Sequence, residues 1–430
     1  MLGWRASHGS GGYRPPPPVA PVGRSFPPRP PGYVLSRALD VVASLALRYG
    51  VNPHQTPARV FADGGLPFEV LNGAPGYINL LDALNAWQLV KELRQVLQLP
   101  AAASFKHVSP AGAAVGLPLT DVLRRAYFVG DKVDLSPLAC AYARARGADR
   151  VCSYGDWVAL SDTVDVPTAQ YLRREVSDGV IAPAYEPEAL ELLKSKKQGR
   201  YTVLQVEPTY EPPEIESRQV FGVTFEQRRN AVVPGLEHLE NVVTKRASLS
   251  DEAKRDLLIG LITLKYTQSN SVCLVKDGQV IGNGAGQQSR IHCTRLAAGK
   301  ADTWWLRQHP RALSLQFKPG IDRVDRDNAI DQFLRDDLTP AEEAIWRTSF
   351  DPVPERLSPE DKHQWLLQLR GVALASDAFI PFRDNVDRAH ASGVEFVVQP
   401  GGAQRDADVI DACDGYGMAM AFSGLRLFHH

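Results

Sequence analysis

Apolar residues at helical spacing, followed after a short polar and proline break by a run of small apolar residues, constrain this chain more than any other feature. Between Ile78 and Leu97, at 100° per residue, Ala86, Leu89, Val90, Leu93, Val96 and Leu97 fall within an arc of about 120°. Gln88, Lys91, Glu92, Arg94 and Gln95 point elsewhere, so the segment is predicted as an amphipathic helix. Ala101 to His107 then reads as a buried strand running into a loop at Ser109-Pro110-Ala111-Gly112. A helix is predicted over Asp251 to Tyr266 with Ser250 as its N-cap, and a hairpin at Asp277-Gly278. The alternation returns as a helix from Asp384 to Ser392, a strand from Val394 to Val398, a turn at Gly401-Gly402, a helix from Asp406 to Cys413 and a strand from Met418 to Phe422. Strands and helices in this order imply α/β layering. Two strand–loop–helix regions, around Lys106-His107 and around Ser376 to Asp384, hint at two similar units.

Composition narrows the function classes. The 430 residues suffice for two or three domains, and 48 basic residues balance 49 acidic ones. No global field therefore points to nucleic acid or an anionic membrane, so phosphate affinity must come from a local pocket. No apolar run approaches the roughly 18 residues of a membrane span. The five cysteines are scattered, with no C-x-x-C pair, a pattern read as a reducing compartment, the cytosol. Residues 1–45 stand apart. Pro15 to Pro18 are consecutive, arginines are interspersed, and no acidic residue precedes Asp40. This predicts a disordered or polyproline II leader and connector. A transit peptide would share the arginines, but the prolines spoil an amphipathic helix.

Several constellations could carry chemistry. Lys106 and His107 are adjacent cations at the end of a buried strand, where α/β sheets hold ligands; each disfavours charging of the other, so one could accept a proton. A solvent-facing pair competes with that reading. Gly282 to Arg290 is glycine-rich before a helix and could offer N–H groups to an anion, yet it matches neither the dinucleotide fingerprint nor the P-loop. A tight hairpin-to-helix connection explains it equally. Phe379-Ile380-Pro381-Phe382, flanked by Asp377 and Asp384, could wall a flat heterocycle or simply pack in the core. The terminal Leu425 to His430 follows an apolar strand without a linker and reads as part of the fold.

From about Leu47 to His430 these segments resemble the transformylase region of the AICAR transformylase/IMP cyclohydrolase family. The motifs that carry the resemblance are Arg48-Tyr49-Gly50-Val51-Asn52-Pro53-His54-Gln55, Leu71 to Gly76, the Lys106-His107 block, Tyr266-Thr267-Gln268-Ser269-Asn270-Ser271, Gly282 to Arg290, Asp377 to Asp387 and the terminal Arg-x-Phe-x-His. The resemblance implies two tandem cytidine-deaminase-like α/β/α units over 46–430, with their boundary at roughly 210–250. It also implies a homodimer with shared active sites. The implied reaction is formyl transfer from the cosubstrate 10-formyltetrahydrofolate to the 5-amino group of AICAR. The H-x-E and P-C-x-x-C zinc ligands of true deaminases are absent from the sequence, so no zinc is expected.

By resemblance, His107 is the base, Lys106 stabilises the oxyanion and protonates the leaving nitrogen, Asn270 holds the formyl oxygen and His430 orients the group. Arg48 and Tyr49 (from the partner subunit), Asn79, Gly155, Lys197, Phe379, Asp384, Arg426 and Phe428 are implied at the nucleotide. Asp178, Arg290, Ile291, Pro381 and Phe382 are implied at the folate. Some family members bind potassium near Thr267, Ser269, Ser271, Asp377 and Leu427. The family's N-terminal cyclohydrolase domain is not matched by this chain, so ring closure to IMP is not expected of it. Gly401-Gly402-Ala403 stands where the family usually has Gly-Gly-Ser, and Ala184 where glycine is common. Two readings compete with an active transferase: a truncated non-catalytic isoform that pairs with full-length subunits, and a deaminase-like hydrolase, disfavoured by the missing zinc ligands.

Overall fold

The computed structural model describes residues 44–430, so the expectation for the leader lies outside the described residues except at its end, where Ser44 and Leu45 already belong to a strand. The strands are β1 (Ser44–Leu47), β2 (Ala58–Phe61), β3 (Phe68–Asn72), β4 (Ala101–Lys106), β5 (Ser109–Val115), β6 (Asp156–Leu160), β7 (Ser177–Ala182) and β8 (Thr202–Val206). After them come β9 (Ile215–Val220), β10 (Val223–Arg228), β11 (Val272–Lys276), β12 (Gln279–Gly284), β13 (Val372–Ser376), β14 (Val394–Gln399) and β15 (Ala419–Phe422). Two pairs, β1 with β2 and β9 with β10, stand as separate hairpins. All the others join one 11-stranded sheet in the order β15-β14-β13-β11-β12-β5-β4-β6-β7-β8-β3.

That order contains the same pattern twice. In β4 to β8 the first strand pairs antiparallel with the second and third, and the third to fifth run parallel, in the spatial order second-first-third-fourth-fifth. β11 to β15 repeat it. The two runs meet edge to edge where β5 and β12 pair antiparallel. The repeated strand order does not fall on the two segments that suggested similar units. Lys106-His107 lies at the hairpin between the first two strands of its run, so its counterpart is Asp277-Gly278 rather than Ser376 to Asp384.

Alternation of side chains builds two cores, because successive residues of a strand face opposite sides of a sheet. Ala102 faces one core while Ala101, Ala103 and Phe105 face the other. Helices Tyr77–Leu97 and Asp251–Lys265 cover the second face with Leu80, Leu89, Leu93, Leu257 and Leu261. Each such buried leucine contributes about 1.5–3 kcal/mol. Ser250 caps the second helix, its Oγ accepting from the Ala253 N–H at 3.2 Å, as predicted. The first face carries Pro137–Gly147, Val166–Arg173, Pro187–Lys194, Arg290–Leu306, Asp384–His390 and Asp406–Gly415. Among the described residues, no helix is long and apolar enough to cross a membrane, and the five cysteines are free.

Two sequence expectations are corrected. Ser109 to Gly112 is the start of β5, not a loop, and Gly282 to Gly284 is the end of β12. The glycines serve close packing. A Cβ on Gly112 would lie 2.1 Å from the Ala145 carbonyl oxygen, and on Gly282 or Gly284 it would lie 2.0 Å or 2.2 Å from the Ala297 or Cys293 carbonyl oxygen. The second strand of each run therefore lies flush against a helix, β5 on Pro137–Gly147 and β12 on Arg290–Leu306. A helical insertion between residues 310 and 366, whose Phe333, Trp346 and Phe350 form a core with Leu306 of the preceding helix, was not read from the sequence.

Candidate active site

The two-residue turn between β4 and β5 is unusual. His107 and Val108 both have positive φ, 52° and 57°. Such turns favour Asn-Gly, and a β-branched residue in this region is strained. Asp82 holds the turn, its Oδ1 accepting the Val108 N–H at 2.6 Å from the buried face of helix Tyr77–Leu97. Burial pushes the Asp82 carboxyl up to about 6, against the opposing pull of the Val108 N–H and the nearby His107. Lys106, half-buried, donates from Nζ to the Tyr154 carbonyl oxygen at 2.6 Å, while the His107 side chain is exposed.

Beside Tyr154 lie Gly155, at φ 72°, and Asp178, whose carboxylate would sit 4.0 Å from a Cβ on Gly155. Lys197 pairs with Asp178 at 2.8 Å. The resemblance put these two on different ligands; in the structure they form one ion pair. Lys106, Gly155, Asp178 and Lys197 therefore gather at one end of β4, β6 and β7. Beneath them Asp156 accepts from Ser104 Oγ (2.7 Å) and pairs with buried Arg146 (2.8 Å), fixing the strand ends.

The second run supplies a second cluster. Asp377, fully buried at the end of β13, accepts from Ser269 Oγ (2.6 Å), Ser271 Oγ and N–H (both 2.9 Å) and Arg290 Nη1 (2.5 Å). Arg290 opens its helix and also donates to the Ser271 carbonyl and, from Nη2, to Asn270 Oδ1 at 3.1 Å. Asn270 Nδ2 donates to the Gln287 carbonyl at 3.0 Å. The C-terminal segment docks against this cluster as well. The Leu427 N–H donates to the Asp377 carbonyl (2.8 Å), and the His429 backbone bonds with Ser269. Burial and the neighbouring His430 push the His429 imidazole down. The Phe428 and His430 rings lie 5.8 Å apart, tilted by 59°, with Arg426 over Phe428 at 4.9 Å.

Sheet topology brings the two clusters to one edge. Because β5 and β12 are antiparallel, the start of β5 lies beside the end of β12, and Asn283 Nδ2 donates to the Pro110 carbonyl at 2.9 Å. The Gln268 N–H donates to Ser109 Oγ at 3.2 Å, joining the Lys106-His107 turn to the Asn270 loop.

Other expected residues are placed less tightly. Phe379 and Phe382 are about half exposed around buried Ile380, and Arg405 stacks on Phe382 at 5.2 Å; Pro381 is half-buried and Asp384 exposed. They form an open aromatic wall rather than core. Ile291 follows Arg290, half-buried. Arg48 lies over its own neighbour Tyr49 at 5.9 Å. Asn79 caps its own helix, its Oδ1 accepting the Gly76 N–H at 3.0 Å. Thr267 Oγ1 donates to the Thr263 carbonyl at 2.8 Å. Ala184 is outside the left-handed residues, so it carries no backbone strain there. Asp82, Asp156 and Gln287 were missed from the sequence. Asp82 could have been found, since it shares the apolar face with Ala86 and Leu89, and an acid there needs a reason. Among the described residues there is no group of three His, Cys, Asp or Glu that could hold a metal.

Together these features define a mixed α/β protein with a doubled strand pattern and two polar clusters at the same ends of its central strands. A model of the AICARFT/IMPCHase bienzyme family matches residues 31–300. A bifunctional purine biosynthesis protein PurH from Sorangium cellulosum is 33% identical over 392 residues, 89% of this chain and 58% of that protein. Proteins of the same name from Clostridium acetobutylicum and Xylella fastidiosa are each 31% identical, over 91% and 89% of this chain. The chain belongs to the AICARFT/IMPCHase bienzyme family, and it spans 58–60% of the length of these relatives.

Proposed function

We propose that this chain transfers a formyl group from 10-formyltetrahydrofolate to the 5-amino group of AICAR, releasing tetrahydrofolate. The observation that carries the reading is the strained Lys106–Val108 turn, held by Asp82 and joined through Ser109 and Gln268 to the loop that bears Asn270. The amine of AICAR is a poor nucleophile, its lone pair delocalised into the imidazole and carboxamide. It must lose a proton as it attacks the formyl carbon, and His107 is the base. The tetrahedral oxyanion needs donors, supplied by Lys106 and Asn270; losing one such donor costs about 100- to 1000-fold in rate. Lys106 then passes a proton to the departing folate nitrogen, and His430 steadies the group. Lys197, Gly155, Asn79, Arg426, Phe428, Phe379 and Asp384 take the nucleotide side, with Arg48 and Tyr49 given by the partner of a homodimer. Asp178, Arg290, Ile291, Pro381 and Phe382 take the folate side.

The doubled strand order supports the reading of two tandem cytidine-deaminase-like units. A boundary at roughly 210–250 belongs to the same reading, and the stretch between the end of β8 and the helix that opens at Asp251 is compatible with it. The hydroxyls of Thr267, Ser269 and Ser271, with Asp377 and the Leu427 carbonyl, are hard oxygen donors of the kind that suits potassium. Bound there, the ion would hold the Asn270 loop in place. No chemical step passes through it.

Lys106→Ala and His107→Ala test the assignment. Each should lower turnover by at least about 100-fold while AICAR binding, read by calorimetry, stays within a few-fold. Turnover surviving both changes would refute these catalytic roles.

A further inference from the structure

The motif Leu71 to Gly76 has no role in the site above, yet the structure ties it to Lys197. Strand β3 pairs antiparallel with β8, Val70 opposite Leu204 and Asn72 opposite Val203, so Leu71 is a bulge in the register. A bulge re-aims the side chains beside it. Asn72 follows it, and its Nδ2 donates to the Gly199 carbonyl at 3.1 Å and to the Tyr201 carbonyl at 2.6 Å. Gly73, at φ 77°, permits that close approach: a Cβ there would lie 2.9 Å from Thr202 Cα and 3.0 Å from the Tyr201 carbonyl oxygen.

The carbonyls that Asn72 takes belong to a strained turn. Lys197 and Gln198 are both left-handed, at φ 51° and 57°, and Gly199 follows at φ 82°. L side chains disfavour this region, and two in succession persist only where their surroundings impose it. Before Lys197 the chain is anchored by buried Lys196, whose Nζ donates to Ser177 Oγ at 3.1 Å and lies 4.4 Å from the centre of the Tyr201 ring. After Lys197 it is anchored by Asn72. Between the two anchors the exposed Lys197 reaches Asp178 at 2.8 Å.

We infer that Asn72 is a positioning residue for nucleotide binding: by clamping the Gly199 and Tyr201 carbonyls it fixes the left-handed turn that presents Lys197 to AICAR. The inference rests on the proposed place of Lys197 at the nucleotide. Asn72 acts through the turn and needs no contact with the ligand. A turn already set in its bound form has little conformational freedom left to lose when the nucleotide arrives, so the clamp strengthens binding and leaves the chemical step alone.

Calorimetric titration of the full chain with AICAR, alongside steady-state formyl transfer, tests this. Lys197→Ala should weaken AICAR binding by about 10- to 100-fold, the loss of a charged hydrogen bond. Asn72→Ala should weaken it by about fivefold or more and raise the KM for AICAR to match, with kcat and the folate KM kept within about twofold. In the Lys197→Ala background, Asn72→Ala should change AICAR affinity by less than about twofold, because a residue that acts through Lys197 has nothing left to position. General structural damage would instead add to the Lys197→Ala loss. Gly199→Ala is a second handle on the turn. Its Cβ would meet nothing within 4 Å, so it disfavours the left-handed backbone without a clash, and its effect should have the same direction and the same dependence on Lys197. Additive losses in the double variants would overturn the inference, as would parental AICAR affinity in folded Asn72→Ala or in Gly199→Ala while Lys197→Ala still weakens binding. Parental affinity in Lys197→Ala would refute the placing of Lys197 itself, and the inference with it.

Discussion

A β-branched residue at positive φ is held by its surroundings, and Val108 is held by one carboxylate. Asp82 is 5% exposed, and burial raises its carboxyl from 3.8 to about 6. The folded chain therefore binds that proton more tightly than the unfolded chain between those values. Stability from this group falls as pH rises through the window, by about 3 kcal/mol in all. Asp82→Asn still offers an oxygen to the Val108 N–H but cannot titrate. Denaturant titrations should show the variant gaining about 2 kcal/mol over the parent between pH 4 and pH 7. Parallel stability curves would mean that the folded Asp82 titrates normally.

At the scale of elements, glycine spacing decides how the site is held. Gly284 ends β12 with its Cα against the Cys293 carbonyl of helix Arg290–Leu306, the helix that presents Arg290 to Asn270 and Asp377. Gly284→Ala must push that helix away. Overpacking of this kind costs about 1–3 kcal/mol, and turnover should fall more steeply than stability because Arg290 moves with the helix. A variant of parental stability and activity would show that the contact is slack. The same glycines explain a limit of the sequence reading. Gly282 to Arg290 was read as a glycine-rich loop opening a helix, because glycines that permit close packing look like loop glycines in one dimension. Ser109-Pro110-Ala111-Gly112 misled in the same way. The helices Tyr77–Leu97 and Asp251–Lys265 were legible because their apolar periodicity is strong and Ser250 is a clear cap. The candidate site residues were given their roles through resemblance alone. Their junction was not legible, since it depends on the antiparallel meeting of β5 and β12, which no local pattern encodes.

Across the whole molecule, buried charges tie distant segments together. Arg150 pairs with Asp327 at 2.8 Å and Glu175 at 3.2 Å, and Arg307 also reaches Asp327, joining the helical insertion to the first run of strands. Burial pushes the Asp327 and Glu175 carboxyls up, but the surrounding guanidiniums outweigh it and hold both below their usual values. Their contribution is present above about pH 4–5 and lost as pH falls through the folded-state values. Asp327→Ala leaves Arg150 and Arg307 buried and short of a partner, and should destabilise the chain by about 3–5 kcal/mol in urea titrations at neutral pH. A loss below about 1 kcal/mol would show that the insertion is held by its apolar core alone.

The central claim belongs to the same scale, because the proposed formyl transfer draws on clusters from both strand runs. The direct measurement is a spectrophotometric assay of the purified chain with AICAR and 10-formyltetrahydrofolate, following tetrahydrofolate release. Turnover that requires both substrates is the predicted result. A folded chain that binds both and releases no tetrahydrofolate would contradict the account, and would favour a non-catalytic subunit that acts by pairing with another chain.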